Sequence, residues 1–345
     1  MIPPFLKSIS FPTTDPAELD ACPVALEYMH SERLGRSVAH CLWWPCKDKS
    51  INPNTVLLFV PGNPGLADFY RSYLSHIYEA APDYLAILAH SLVGHSPFVP
   101  PVPLHVSRLE SQIEAMIETI DVILGTFGSA VKLVLIGHSV ARLPGLNMHM
   151  SLLFKTLSER PNCVTAAFLL FPTITHIVHT PNGSRLSWLF NGFMPSILSH
   201  LSKVFRVIPK SILRLLFRDW PPEQIEVLWS FLNCPSAILA TLKMAHQEMD
   251  TIKDLDKELF NSVKHKLYLF FAEKDDWVGD NKDMVLREMS DEPHSIRIIH
   301  GRHDIPHAYC INHGKELGEQ TLKWLQDDVF GLAAGTAGRE VRHIK

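Results

Sequence analysis

Val131-Lys132-Leu133-Val134-Leu135-Ile136-Gly137-His138-Ser139-Val140-Ala141 decides how this chain is read. Its short aliphatic run predicts a strand buried on both faces of a parallel sheet. Gly137-His138-Ser139 at the end of that run predicts a sharp turn into a helix. Such a turn lifts the serine hydroxyl above the carboxyl edge of the sheet, where a nucleophile belongs. The third small residue of the usual Gly-x-Ser-x-Gly pattern is Ala141, one methyl group larger than glycine. A second string, Gly94-His95-Ser96, is followed by Pro97, which has no N–H to offer behind the serine. Ser139 is therefore the stronger candidate.

Working outward, Thr55 to Val60, Tyr84 to Ala89, Val164 to Phe171, Lys266 to Phe271 and Ser295 to Ile299 also read as strands. Helix-period segments such as Leu109 to Leu124 and Lys315 to Leu325 lie between them. Strands alternating with helices predict the α/β class, with a mostly parallel, doubly wound sheet covered on both faces. From about Asn182 to Ser262 the alternation stops and only helical patterns remain.

The first half of that stretch, Ser184 to Asp219, carries Arg185, Lys203, Arg206, Lys210, Arg214 and Arg218 against Asp219 alone, a net charge of +5 in a chain whose total is −4. Ile197, Leu201, Val204, Phe205 and Ile208 recur at helical spacing, with Lys203 and Arg206 on the other face. Two readings stand: a cap whose apolar face packs over the site, or a basic, aromatic surface that lies in an anionic lipid interface. The two are compatible.

Composition narrows the class. The chain has 345 residues, 46% of them hydrophobic and 20% charged, which is ordinary for a folded protein and carries no basic nucleic-acid footprint. No nucleic-acid partner is expected. Six scattered cysteines without a CxxC pair predict reduced thiols rather than a zinc site. The N-terminal residues lack the apolar core of a signal peptide, and no uncharged run is long enough to span a bilayer. The expectation is a soluble or peripherally bound protein of the cytoplasm. No Gly-x-Gly-x-x-Gly or P-loop string appears, and no cofactor or metal is expected.

A serine hydroxyl becomes a useful nucleophile only beside a base, and the base needs an acid to orient it. In this kind of sheet the order along the chain is serine, acid, histidine. Ala272-Glu273-Lys274-Asp275-Asp276-Trp277-Val278 follows a predicted strand and supplies the acid, with Asp275 preferred and Asp276 its competitor. His300-Gly301-Arg302-His303-Asp304-Ile305-Pro306-His307 follows the last strand and offers three histidines. His300 reads as part of the strand, His303 mimics a Gly-x-His ending, and His307 opens the final helix behind a rigid Ile-Pro pair. For the developing negative oxygen of an acyl-transfer intermediate, one backbone donor is expected at Val140. The second is expected at Asn63 in Pro61-Gly62-Asn63-Pro64-Gly65, because Pro64 has no N–H and the glycines permit close approach.

These residues resemble the lipid droplet-associated hydrolases of the α/β-hydrolase superfamily. The resemblance rests on Phe59-Val60-Pro61-Gly62-Asn63-Pro64-Gly65 with Phe69-Tyr70, on Gly137-His138-Ser139, and on Leu170-Phe171-Pro172-Thr173-Ile174 with Thr180-Pro181-Asn182-Gly183. Asp275-Asp276-Trp277 and Ile305-Pro306-His307-Ala308 complete it. It implies a hydrolase core in two parts, 1–181 and 263–330, a helical cap or lipid-interface insertion over 182–262, and a flexible tail over 331–345. It also implies Ser139, Asp275 and His307 as nucleophile, acid and base. Residence on lipid droplets or, peripherally, on the endoplasmic reticulum membrane follows, with a lipid ester as substrate. The chain departs from the family after the serine, reading Val140-Ala141-Arg142-Leu143-Pro144-Gly145-Leu146. Pro144 and Gly145 weaken a helix there, so low turnover is one expectation. Two functions remain open: a serine ester hydrolase acting on lipids, and a lipid-surface binding protein that keeps the scaffold.

Overall fold

The computed structural model describes residues 1–9, 22–140, 157, 160, 162–251, 257–288, 297–300 and 305–331. Its strands are β1 (Leu6–Ser8), β2 (Val24–Met29), β3 (Val38–Trp44), β4 (Thr55–Val60), β5 (Leu85–His90), β6 (Lys132–Val140), β7 (Val164–Thr173), β8 (Leu267–Phe271) and β9 (Arg297–His300). They form one sheet in the order β1-β2-β3-β5-β4-β6-β7-β8-β9. From β5 through β9 all neighbours are parallel, while β1, β2 and β3 are joined to each other and to β5 in antiparallel pairs. The sheet is thus mostly parallel, as the alternation in sequence predicts.

Every residue of β4 is buried. Val56, Leu58 and Val60 face one core and Leu57 and Phe59 the other, which is the two-residue period of a strand covered on both sides. Helices α1 (Arg71–Ala80) and α10 (Gly314–Trp324) cover one face through Tyr73, Leu74, Ile77, Leu317 and Trp324. On the opposite face α2 (Leu109–Phe127) contributes Ile113, Met116, Ile120 and Ile123. Each fully buried aliphatic or aromatic side chain of this kind contributes roughly 1.5–3 kcal/mol.

The sequence reading leaves out β1, β2 and β3. β2 alternates buried Val24, Leu26 and Tyr28 with less buried Ala25, Glu27 and Met29, a half-covered antiparallel pattern.

Between β7 and β8 the described residues form the α-helices α3 (Pro181–Phe190), α4 (Met194–Leu201), α5 (Lys210–Leu216), α6 (Pro222–Leu232), α7 (Pro235–Thr251) and α8 (Lys257–Val263). After β8 comes α9 (Asn281–Glu288). Among the described residues no single helix is long and apolar enough to cross a membrane. Only α6 and α7 taken together have that length and composition, and they meet at 91°.

The stretch from Ser184 to Asp219 folds as several short helices, and many of its apolar residues face outward. Phe193 is 86% exposed, Val207 81% and Leu216 69%, with Trp188, Ile197, Leu201, Val204 and Leu215 also exposed. Phe190 and Leu213 are turned inward, and so are two serines. Ser199 and Ser202 are buried, and their hydroxyls bond to the carbonyl oxygens of Pro235 at 2.6 Å and Ser199 at 2.7 Å. Ile197, Leu201 and Val204, which share one face at helical spacing, are exposed rather than packed inward, and Ser199 on the other side of α4 bonds to the start of α7.

Candidate active site

Ser139 sits one residue before the end of β6, on the carboxyl side of the sheet. Its φ is +59°, a left-handed conformation that costs a non-glycine residue about 1–2 kcal/mol. The register supports the bend: His138 pairs with Leu170, whereas Val140 pairs with Thr173, so β7 carries one more residue across this step. Thr173 Oγ1 donates to Ser139 O at 2.7 Å and braces the turn. Residues 141–156 lie outside the described residues, and with them the departure from the family pattern at Ala141 to Leu146.

The structure brings the preferred serine, acid and histidine together. His307 Nε2 lies 3.0 Å from Ser139 Oγ, and His307 Nδ1 lies 2.7 Å from Asp275 Oδ2. Asp275 projects from the loop after β8 and is nearly buried. Its Oδ1 accepts the N–H groups of Trp277 at 2.9 Å and Val278 at 3.2 Å. Those two bonds aim the other oxygen at His307. A neutral imidazole so held carries its proton on Nδ1 and presents the Nε2 lone pair to the hydroxyl, so it can take the hydroxyl proton as oxygen attacks.

The competing candidates are placed elsewhere. The Asp276 side chain is exposed, and its main-chain oxygen accepts Asn182 N–H at 2.9 Å. His300 ends β9, and His303 lies outside the described residues. Ser96 is in a turn, where its Oγ accepts Phe98 N–H at 3.2 Å.

The loop Pro61 to Gly65 follows β4 and presses against the serine. A Cβ added to Gly62 would lie 2.9 Å from Ser139 Cβ and 2.8 Å from His138 O, so only glycine fits. Among the described residues the backbone N–H of Asn63 has no hydrogen-bond acceptor. The loop is clamped from behind. His95 Nδ1 lies 2.9 Å from Pro64 O, and Thr241 Oγ1 lies 3.3 Å from the same ring nitrogen. Burial keeps His95 well below the usual histidine range, at about 4, so it serves as a neutral hydrogen-bonding group. Val140, the other expected donor, ends β6 directly behind the serine.

Sequence reasoning left His138 and Tyr70 without roles. His138 is buried between Tyr70 Oη, 2.6 Å from its Nδ1, and the carbonyl oxygen of His307, 3.0 Å from its Nε2. Both residues stand inside the quoted motifs, but no spacing rule links positions 70, 138 and 307.

Comparison with known proteins bears on this site. The model of a family described as Lipid-droplet associated hydrolase matches residues 53–310. A lipid droplet-associated hydrolase of Gallus gallus is 26% identical over 335 residues, spanning 90% of this chain and 97% of that relative. The Homo sapiens protein of the same name is 26% identical over 301 residues, spanning 82% and 88%. Among solved structures, a haloalkane dehalogenase loop variant from Bradyrhizobium elkanii superposes with a TM-score of 0.59 at 12% identity, covering 89% of this chain and 99% of that one. Epoxide hydrolase VrEH1 from Vigna radiata gives 0.56 at 12% identity, covering 88% and 98%. These last two similarities are of fold: an α/β-hydrolase sheet with surrounding helices.

Proposed function

The chain belongs to the lipid droplet-associated hydrolase family, and on that premise we propose that it is a serine ester hydrolase that cleaves lipid esters, of the sterol ester or acylglycerol class, at the droplet surface. The observation that carries the reading is the pair of contacts at His307, 3.0 Å to Ser139 Oγ and 2.7 Å to Asp275 Oδ2. Ser139 Oγ attacks the acyl carbonyl while His307 Nε2 takes its proton, and Asp275 holds the imidazolium that forms. The tetrahedral intermediate collapses and expels the alcohol, which leaves with the proton from His307. Water, deprotonated by His307, then attacks the acyl-enzyme and releases the carboxylic acid, restoring Ser139. The N–H groups of Asn63 and Val140 stabilise the negative oxygen in both halves. The unpartnered N–H of Asn63, and the contact between Gly62 and Ser139 that puts the loop beside the nucleophile, support that assignment.

The helices between β7 and β8 form the cap, and their outer face is the lipid contact. Exposed Phe193, Leu201, Val204 and Val207 supply apolar depth, and Lys203 and Arg206 supply attraction to anionic headgroups. These features support a peripheral position on the cytoplasmic side of the lipid droplet or endoplasmic reticulum membrane.

The departure after the nucleophile, with Pro144 and Gly145 where a helix is expected, favours a second reading: a lipid-surface binding protein with little turnover. Labelling with a fluorophosphonate separates the two. Ser139 Oγ displaces fluoride from phosphorus only where a base receives its proton. Labelling of the intact protein, lost in Ser139→Ala and in His307→Ala, is the expected result. No labelling under conditions that tag a control serine hydrolase would leave the binding reading.

A further inference from the structure

The buried histidine immediately before the nucleophile takes no part in the proton transfer, yet it touches the residue that does. His138 Nε2 lies 3.0 Å from the carbonyl oxygen of His307. A carbonyl oxygen only accepts, so Nε2 carries a proton. Burial, reinforced by the neighbouring His307, holds the His138 ring far below the usual histidine range, so it is neutral and its Nδ1 is a bare acceptor. The partner of Nδ1 at 2.6 Å, Tyr70 Oη, must therefore donate. Burial also lifts the Tyr70 phenol well above its ordinary value, so that proton is retained. The backbone N–H of Gly62 and the Cys310 thiol lie close to the phenol oxygen.

The two bonds run in one direction, from Tyr70 O–H to His138 and from His138 Nε2–H to His307 C=O, and Gly62 packs beside His138 Nδ1. Each member belongs to a different part of the fold. Gly62 is in the loop after β4, Tyr70 ends the turn Ala67–Tyr70 ahead of α1, His138 is in β6, and His307 follows β9. The chain passes directly beneath Ser139, whose peptide neighbour is His138. It begins against Gly62, the residue before Asn63, and ends on the backbone of the imidazole-bearing residue.

Resting on the reading of Ser139 and His307 given above, we propose that Tyr70 and His138 are positioning residues. They fix the spacing between the oxyanion loop and the base across the nucleophile. A bond ladder of this kind acts on the transition state, because an ångström of misplacement is enough to cost on the order of a hundredfold in rate. An ordinary buried polar network would affect stability alone.

The test uses the full chain with Tyr70→Phe, His138→Phe and His138→Gln. Tyr70→Phe removes one oxygen. His138→Phe keeps a ring without either polar atom, and His138→Gln keeps one donor and one acceptor. Four quantities are measured: the rate of fluorophosphonate labelling, kcat and KM for p-nitrophenyl butyrate, inhibition by a trifluoromethyl ketone, and the thermal midpoint. Tyr70→Phe and His138→Phe are expected to lower labelling and kcat by roughly 10- to 100-fold, with KM within about twofold. Ketone affinity is expected to fall in parallel with kcat/KM, because the ketone adduct mimics the tetrahedral intermediate. His138→Gln is expected to recover most of the rate.

Tyr70→Phe with wild-type labelling and kcat, or a His138→Gln no better than His138→Phe when both share the same midpoint, overturns the proposal. If His138→Phe does not fold, Tyr70→Phe against wild type decides. Ser139→Ala is assayed alongside: if it retains labelling and turnover, the catalytic reading itself fails and the proposal with it. If Ser139→Ala is inert while Tyr70→Phe is normal, only the positioning role fails.

Discussion

Asn63 reaches across 178 positions of sequence to place its side-chain amide 3.1 Å from the carbonyl oxygen of Thr241. A residue of the loop that presses against Ser139 is thereby held by α7, one of the helices inserted between β7 and β8. About two turns further along α7, buried Glu248 also meets the Asn63 side chain.

Glu248 gives the first prediction. Burial raises its carboxyl from the ordinary 4.5 to about 8, and the contact with Asn63 offsets only part of that. The folded state therefore holds a proton that the unfolded chain releases above about 4.5. Stability from this group is intact below that pH, is lost as pH rises, and stops falling once the pH is past about 8. The slope is ~1.4 kcal/mol per pH unit at most. Urea unfolding between pH 5 and 9 should show this decline in the wild type and a flatter profile in Glu248→Gln. Parallel profiles for the two would refute it.

Gly62→Ala should be soluble and nearly inactive. The added methyl has nowhere to go, since backbone and Ser139 Cβ lie within 3 Å of it. The loop must retreat and take the Asn63 N–H with it. Losing such a donor costs on the order of a hundredfold or more in turnover. A kcat within a fewfold of wild type would show that the loop donor is not used.

The inserted helices make a paired prediction. Leu201→Ser, Val204→Ser and Val207→Ser remove apolar surface that is already exposed, so unfolding should change by only about 0.5 kcal/mol for each. Flotation with phospholipid-coated triacylglycerol droplets should fall in the triple variant. Ser199→Val alters the inward face, forfeits the bond to Pro235 O, and should destabilise by about 1–3 kcal/mol with flotation intact. The reverse pattern would mean that the outer face is not the lipid contact.

Acid should expose a different weakness. His30 and His90 are buried with their Nε2 atoms 3.2 Å apart, and burial lowers them to about 4 and about 3. The unfolded chain gains protons near 6.5 that the folded one refuses, so stability is complete above that pH and drops as pH falls toward 4. His90→Gln keeps a hydrogen-bonding group that cannot charge, and should shrink the slope of urea midpoint against pH between 6 and 4. An unchanged slope would assign the acid sensitivity to other groups.

How far the sequence could be read follows from the range of each contact. β4 to β9 are parallel strands, covered on both faces where the central ones run, so each announces itself as an unbroken apolar run. The loops at their carboxyl ends then had to converge, which is why a serine, an acid loop and a histidine loop could be grouped from chain order, while His307 itself is singled out by the family resemblance. The antiparallel β1, β2 and β3 escaped because half-exposed strands dilute the apolar signal. Helical spacing correctly grouped Ile197, Leu201 and Val204 on one face, but periodicity does not say whether that face turns in or out. Ser199 and Ser202 decide it, through hydroxyl contacts that only the folded chain supplies. Tyr70 and His138 were invisible for the same reason: their meeting depends on sheet order, since β4 and β6 are neighbours although far apart in sequence.

The placement of the inserted helices has a consequence for how such chains diversify. All of them leave from β7 and return to β8, and those two strands pair directly, Ala167 opposite Leu267. The frame therefore closes in the same register whatever is spliced between them. A swap of that one block, with a partner for Asn63 retained, would readdress an unchanged reaction centre to a different interface.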